Sequence, residues 1–372
     1  MTSPQPDLRS IAAAFRLCGD FVAAVPYGSG HINDTYALSY NQGGTPVRYL
    51  LQRVNHTIFK DVPGLMDNIQ RVCAHAQARL AAAGCPDASR RALTLIPTVD
   101  GAAFHRDDRG NYWRVYVFIE HATGHNIVQS PAQAYEAARA FGAFQKLLVD
   151  LPGERLNETI PNFHHTPRRY EAFEAALAAD THNRAVAARA EIDWILARRD
   201  RASALLDLNR RGLVPERITH NDTKLNNVLL DDATGEAICV IDLDTLMPGL
   251  ALYDFGDLVR TSTSPAAEDE RDLGKVTMQL PMFDALVRGY LATAGDFLTP
   301  AEIANLPTAG MILTLTLAVR FMTDFLQGDT YYKIHRPNHN LDRTRTQIAL
   351  VDSIDAQREA MDDCVRKAGT RP

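Results

Sequence analysis

The stretch Ile218-Thr219-His220-Asn221-Asp222-Thr223-Lys224-Leu225-Asn226-Asn227-Val228-Leu229-Leu230 constrains this chain more than any other part of it. It reads as a loop held between two short apolar segments. Within the loop an Asp is followed two residues on by a Lys and five residues on by an Asn. That order suits chemistry in which one carboxylate addresses a hydroxyl while an amide oxygen holds Mg²⁺. The apolar run at 237–241 then predicts a buried strand ending in Asp242-Leu243-Asp244, where carboxylates arrive without a local countercharge, as metal ligands do. A short His-Asn-Asp loop can also be a plain Asx turn. The strand that ends at Asp242, reached through a hairpin around residues 231–235, favours the catalytic reading.

Length and composition bound the alternatives. The 372 residues suffice for two or three domains and a sizeable core. A net charge of −6 with no basic block argues against nucleic acid or an anionic membrane surface as the main partner. Five scattered cysteines without a C-x-x-C pair do not make a disulfide framework or a zinc site, so a reducing, cytoplasmic setting is expected. No signal-peptide pattern opens the chain, and the apolar run at 311–319, interrupted by Thr314 and Thr316, belongs in a core rather than a membrane. Nothing points to an obligate protein partner.

The first hundred or so residues read as β-rich. Strands at 36–40 and 47–54 flank Asn41-Gln42-Gly43-Gly44, which predicts a hairpin. Leu65, Ile69, Val72, Ala76 and Leu80 predict a helix that Gly84 stops, and strands follow near 94–98 and 113–119. Beyond Ala122 the texture turns helical. Ser130-Pro131-Ala132-Gln133 and Thr299-Pro300-Ala301-Glu302 have the form of capping boxes, Thr166-Pro167 opens another helix, and Gly212 and Gly369 stand where helices end. The expected architecture is α+β and two-lobed: a small sheet lobe over residues 1–122 and a larger helical lobe over 123–372 that carries the Asp222 loop.

Other residues gain meaning from this layout. In Tyr27-Gly28-Ser29-Gly30-His31-Ile32-Asn33, two glycines let backbone N–H groups come close to phosphate. Such a segment is also an ordinary flexible turn, and its place among the first strands favours a phosphate cradle. At the lobe junction, Phe118-Ile119-Glu120-His121-Ala122 can offer backbone groups of Glu120 and Ala122 to an adenine edge, or serve as a plain linker. His164-His165 reads as a loop pair, since adjacent side chains diverge, and the charged run at 191–211 reads as a solvated helix face. Arg320 stands out in the apolar run 313–325, where a permanent charge needs either a buried salt bridge or a substrate.

Taken together, the His220–Asn227 loop, Ile241-Asp242-Leu243-Asp244, Pro248-Gly249 and Tyr253-Asp254-Phe255-Gly256-Asp257 resemble the aminoglycoside phosphotransferase-like kinases. Within these, the chain looks most like the N-acetylhexosamine 1-kinases. That resemblance runs through residues 27–33, Asn126, 219–227, 241–249, Arg320-Phe321, Gly328-Asp329, Asn340-Leu341 and 344–347. It implies an ATP- and Mg²⁺-dependent kinase of the protein-kinase-like fold, acting on the anomeric hydroxyl of a free amino sugar. Asp222 would accept or orient the hydroxyl proton, Lys224 would steady the phosphoryl group, and Asn227 and Asp242 would hold Mg²⁺. Gly28, Ser29 and Gly30 would cradle phosphate, and His31, Arg320 and Tyr331 would face the sugar. Two departures from the general kinase pattern stand out. The strand that usually ends in a phosphate-binding Lys ends here in Gln52-Arg53, which leaves Gln52 or Arg53 to touch the phosphates. Asp254-Phe255-Gly256 is passed over as the metal motif in favour of Asp242, with Asp254 read as an acceptor that braces the catalytic loop.

Overall fold

The structure, a computed structural model, describes residues 6–28 and 32–369. Ser29, Gly30 and His31, expected at the phosphate cradle and the sugar, lie outside the described residues.

A short helix α1 (Leu8–Ala12) precedes strands β1 (Asp20–Pro26), β2 (Asp34–Gln42) and β3 (Thr45–Val54). Helices α2 (Val62–Ala82) and α3 (Ala88–Arg91) follow, then β4 (Leu95–Ile96), β5 (His105–Arg106) and β6 (Tyr112–Val117). These strands form one antiparallel sheet in the order β1-β2-β3-β6-β4, with β5 also on β6. The β2–β3 hairpin closes with Gln42 opposite Thr45, and Gly43 and Gly44 both take positive φ, +60° and +96°. A two-residue turn of that kind matches the twist of its strands, and glycine adopts it without strain. Alternation then sorts the sheet's faces: Leu51, Trp113 and Val115 pack on α1, whereas Val54 and Tyr116 pack on the α2 side. The sequence reading passed over β1, whose burial is partial along its length.

Strand β7 (Ala122–Gly124) carries the chain out of this sheet and into a second one, β10-β9-β7, with β9 (Val228–Asp231) and β10 (Ala237–Val240). The expected hairpin is there: Asp231 Oδ1 accepts the Ala233 and Thr234 amides at 3.0 Å each, and Gly235 takes φ +72°. Strands β8 (Arg217–Thr219) and β11 (Met247–Gly249) pair separately and frame the Asp222 loop. Around them lie α4 (Pro131–Leu147), α5 (Thr166–Ala179), α6 (Arg189–Leu196), α7 (Ala204–Arg210), α8 (Ala251–Ser262), α9 (Leu280–Ala294), α10 (Pro300–Ala304), α11 (Leu306–Leu326), α12 (His339–Ala356) and α13 (Arg358–Gly369).

Two close helix crossings hold this lobe. Helix α4 meets α9 at Gly142 and Gly289, and α8 meets α11 at Gly256 and Gly310. A Cβ on Gly256 would lie 2.5 Å from Ala309 O, so only a bare backbone fits there. The capping box at α10 is reciprocal: Glu302 N donates to Thr299 Oγ1 (3.1 Å) and Thr299 N donates to Glu302 Oε2 (2.7 Å). At α4 it is not. Ser130 Oγ accepts from Gln133 N, but Gln133 Oε1 turns back to Gln129 N. Helix α11 is long and apolar enough to cross a membrane by length and composition, yet 89% of its apolar window is buried against its neighbours, so it serves as the central core helix.

Candidate active site

The catalytic loop is built on a buried carboxylate. Asp254, on α8 and fully buried, accepts His220 N at 2.9 Å, Asn221 N at 2.7 Å and Gln145 Nε2 at 2.6 Å. Its carbonyl takes the Thr223 hydroxyl at 2.6 Å. One turn further along α8, Asp257 accepts Thr223 N at 2.9 Å and is paired with Arg260. The loop therefore hangs from one face of α8, and Asp254 braces it as the sequence reading assigned. Asn221 takes a left-handed φ of +66°, and its amide donates to Thr219 O and Thr245 O, which fixes the bend before Asp222. His220 donates Nε2 to Ile241 O (2.9 Å) and so ties the loop to the end of β10.

These restraints set Asp222 beside Lys224 and Asn227. Lys224 Nζ lies 3.0 Å from Asp222 Oδ2, and Asn227 Nδ2 donates to Asp222 O (2.7 Å) and Oδ2 (3.0 Å). Burial pushes the Asp222 carboxyl up, but Lys224, then His220 and Asn227, outweigh it and hold it below the usual carboxylate range. It is ionised at neutral pH, as a group receiving a hydroxyl proton must be. Ile241 N donates to Asn227 O at 2.9 Å, bringing Asp242 next to the Asn. Asp242 is exposed to solvent and takes φ +60°, a left-handed conformation that turns its side chain out of the strand direction. Desolvation on its protein side, then the charges of Asp244 and Asp222, push its carboxyl up to about 6. With the Asn227 amide nitrogen spent on Asp222, the Asn227 oxygen and the Asp242 carboxylate make an oxygen donor pair short of positive charge, which fits a hard divalent cation.

A second network, unseen in the sequence, joins the lobes at this point. Buried Arg114 on β6 donates Nε and Nη2 to Gln52 Oε1 at 3.0 and 2.8 Å and forms an ion pair with Asp244. Asn33, at the far end of the glycine turn, donates Nδ2 to Asp244 Oδ2 at 2.6 Å, and its Oδ1 accepts Asn55 N. Gln52 stands where the phosphate-binding Lys was missed, and its partner is the Arg on the neighbouring strand. An Arg inside the apolar run 112–119 was the available signal, the same oddity that drew attention to Arg320. Arg53 forms an ion pair with Asp34 across β3 and β2, with both side chains partly exposed. Gly28 sits at φ +79°, and no heavy atom lies within 4 Å of where its Cβ would stand. At the lobe junction Glu120 pairs with Arg48, and its carbonyl accepts Arg90 Nη2 at 3.0 Å. Ala122 begins β7 opposite Asp231.

On the other side of the loop, His164 is buried and bonds Asn221 O through Nε2 at 2.9 Å. His165 only caps α5, accepting Arg168 N. Burial pushes His164 down to about 4 from 6.5. Between those values the unfolded chain takes up the proton first, so stability falls as pH drops through this window and is fully present above it, by up to about 3 kcal/mol. Asp242, raised to about 6, titrates in the same window with the opposite sign. The His164 contribution is therefore read as the difference between denaturant melts of the wild type and His164→Gln from about pH 4 to pH 7, the wild type losing more stability than the variant as pH falls. An equal slope in the variant would place the titration on another group.

Arg320 is half-buried on α11. Its guanidinium lies 4.7 Å from the Phe163 ring centre, 5.8 Å from Tyr331 and 5.6 Å from Tyr332, with no carboxylate partner among the described residues. The tyrosines are placed by Asp324, whose carboxylate accepts the amides of Thr330, Tyr331 and Tyr332 at 2.7–2.9 Å. Asp329 at φ +62° is fixed by Arg184 and Asn340. The structure thus brings Asp222, Lys224, Asn227 and Asp242 into one cluster and puts Arg320 and Tyr331 together in an aromatic wall.

The family of the chain follows from comparison with known proteins. Residues 23–297 match the model of the phosphotransferase enzyme family APH. The chain belongs to that family. Its reaction class is therefore phosphoryl transfer, and the solved structures it resembles share the whole fold. An aminoglycoside phosphotransferase from Alicyclobacillus acidocaldarius is 12% identical with a TM-score of 0.60, covering 99% of this chain and 98% of its own. A microcompartment-associated aminopropanol kinase is 15% identical with a TM-score of 0.56, covering 98% of each chain. A choline kinase from Cryptosporidium parvum is 14% identical with a TM-score of 0.54, covering 92% of this chain and 91% of its own.

Proposed function

We propose that this phosphotransferase moves the γ-phosphoryl group of ATP to the anomeric hydroxyl of an N-acetylhexosamine, giving the sugar 1-phosphate. The observation that carries the reading is Arg320, a guanidinium without a carboxylate partner among the described residues, framed by Phe163, Tyr331 and Tyr332. Sugars offer hydroxyl and ring oxygens to such a fork and apolar C–H faces to such rings. A cationic acceptor would meet a like charge there. An amino-alcohol kinase is the second reading, because three aromatic rings around one cation are also how quaternary ammonium groups are held; here Arg320 occupies that place.

In the proposed reaction Asp222 takes the hydroxyl proton and aligns the oxygen for in-line attack. Lys224 holds Asp222 ionised and meets the transferring phosphoryl group. Asn227 and Asp242 would hold Mg²⁺, which when bound neutralises phosphate charge. The Arg114–Asp244–Asn33 network ties β6 and Asn33 to the strand end that carries Asp242, so positioning does most of the work.

A panel of free sugars, amino alcohols and aminoglycosides, assayed for ATP-dependent product with the phosphorylated position assigned, tests the reading. Phosphate on the anomeric oxygen of N-acetylglucosamine and N-acetylgalactosamine is expected, with 1-deoxy analogues binding unreacted. Phosphate on the 6-hydroxyl, or turnover of choline or aminopropanol alone, would sink it. Arg320→Lys should raise the sugar KM about tenfold and leave the KM for ATP within twofold, since Lys keeps the charge and loses the planar fork. An equal rise in both constants would remove Arg320 from the sugar site.

A further inference from the structure

Arg320 is not the only guanidinium on this wall. Arg169, on α5, donates Nε and Nη2 to Phe163 O at 3.2 and 3.0 Å, while Arg320 lies over the ring of the same Phe163. Both side chains are half-buried, and neither has a carboxylate partner among the described residues. The acids that could serve are committed: Asp257 to Arg260 and the Thr223 amide, Glu268 to Arg260 and Arg343, Asp329 to Arg184, and Asp324 to backbone amides and Asn340. Phe163 brings the two charges together, and burial with the neighbouring Arg320 weakens Arg169's hold on its proton, only partly offset by Tyr332 and Tyr331. His164 feels both arginines and sits against Asn221, one residue before Asp222. The charged pair therefore stands beside the loop that carries the base.

Two partly desolvated like charges cost free energy unless an anion joins them. Neutral hydroxyls can satisfy the donors but cannot cancel the repulsion. We propose that Arg169 and Arg320 form a two-guanidinium subsite for an oxyanion group, carboxylate or phosphate, carried by the sugar acceptor away from its reacting hydroxyl. The inference rests on the sugar-kinase reading and adds to it a preference for acidic sugars over their neutral parents. Phe163 holds both arginines, one at its carbonyl and one over its ring, and so sets their spacing. Arg169 is then a specificity-determining residue: with its Nε–Nη2 edge held by Phe163 O, its Nη1 end is left for the oxyanion beside the fork of Arg320.

The test compares acceptors in pairs with the full-length enzyme. N-acetylglucosamine 6-phosphate is set against N-acetylglucosamine, and glucuronic acid against glucose, with formation of the 1-phosphate as readout. At least one acidic member should show a KM about tenfold or more below its neutral parent, and which one does so tells phosphate from carboxylate. Arg169→Gln should raise the KM of that acidic sugar about tenfold or more and leave the neutral sugar within twofold. Arg169→Lys, which keeps the charge, should fall between and guards against misfolding in the Gln variant. Neutral sugars used as well as or better than acidic ones, or Arg169→Gln moving both members alike, would overturn the subsite while leaving the sugar-kinase reading intact. Turnover of amino alcohols with no sugar phosphorylated would end both.

Discussion

Asp222→Asn is expected to lower kcat by about 10²–10⁴ while nucleotide affinity changes little, because the amide keeps the shape of the carboxylate and cannot take a proton. The geometry makes this a clean substitution. Asp222 receives Lys224 Nζ and Asn227 Nδ2 on Oδ2, and an Asn can present its oxygen to the same two donors. The backbone of the loop hangs from Asp254 and Asp257 rather than from Asp222 itself, so its path should survive. Single-turnover measurements at saturating ATP, with nucleotide binding measured in parallel, separate the chemical step from binding. A variant with near-native kcat would show that Asp222 is not the base.

The second large effect is on stability. Asp254→Ala removes the acceptor of His220 N, Asn221 N and Gln145 Nε2 at once, in a site with no exposure to water. Each orphaned buried donor costs about 1–3 kcal/mol. Burial also pushes the Asp254 carboxyl up, so part of that cost is returned when the charge is lost. A net loss on the order of 3–5 kcal/mol is expected, seen as a fall in Tm of roughly 5 °C for a chain of this size. Asp254→Asn should fall between, since the amide oxygen can keep the two donors that meet Oδ2 while its NH2 faces only Asn221 N. By contrast Asp242, which accepts no hydrogen bond from the chain among the described residues, should tolerate Ala with its Tm nearly unchanged and lose activity. An Asp254→Ala protein that stays fully stable but no longer binds Mg²⁺–ATP would exchange the roles of the two carboxylates.

The distance between partners along the chain decides what could be read from the sequence. The β2–β3 hairpin, α2 and the α10 capping box are written in residues a few positions apart, and each formed as its local chemistry demands. The grouping of Asp222, Lys224 and Asn227 was legible for the same reason: its carboxylate, ammonium and amide lie within six consecutive residues. The Asn33–Asp244 and Arg114–Asp244 contacts join residues 211 and 130 positions apart, and no local pattern encodes such pairings. Arg169 was missed because it follows Arg168, and two adjacent arginines on a helix read as a solvated face. Only packing shows that Arg168 pairs outward with Glu171 while Arg169 turns in toward Phe163. The short strands β7, β8 and β11 carry too few residues to show a period of two, and their partners supply what their sequences lack.

The lobes differ in texture, yet one apolar cluster runs through both. Val54, Phe59, Leu65, Ile69 and Tyr116 from the sheet side pack continuously with Phe141, Leu225, Leu246 and the residues of α8 and α11. Strand β7 adds a backbone ladder from the junction to β9. Melting should accordingly be a single cooperative event, with calorimetric and van't Hoff enthalpies equal. Neither half expressed alone should yield a well-folded fragment, because each would expose the apolar surface that the other covers. The sheet that carries Gln52 and Arg114 and the helical region that carries the Asp222 loop thus differ in make-up but are gained and lost together.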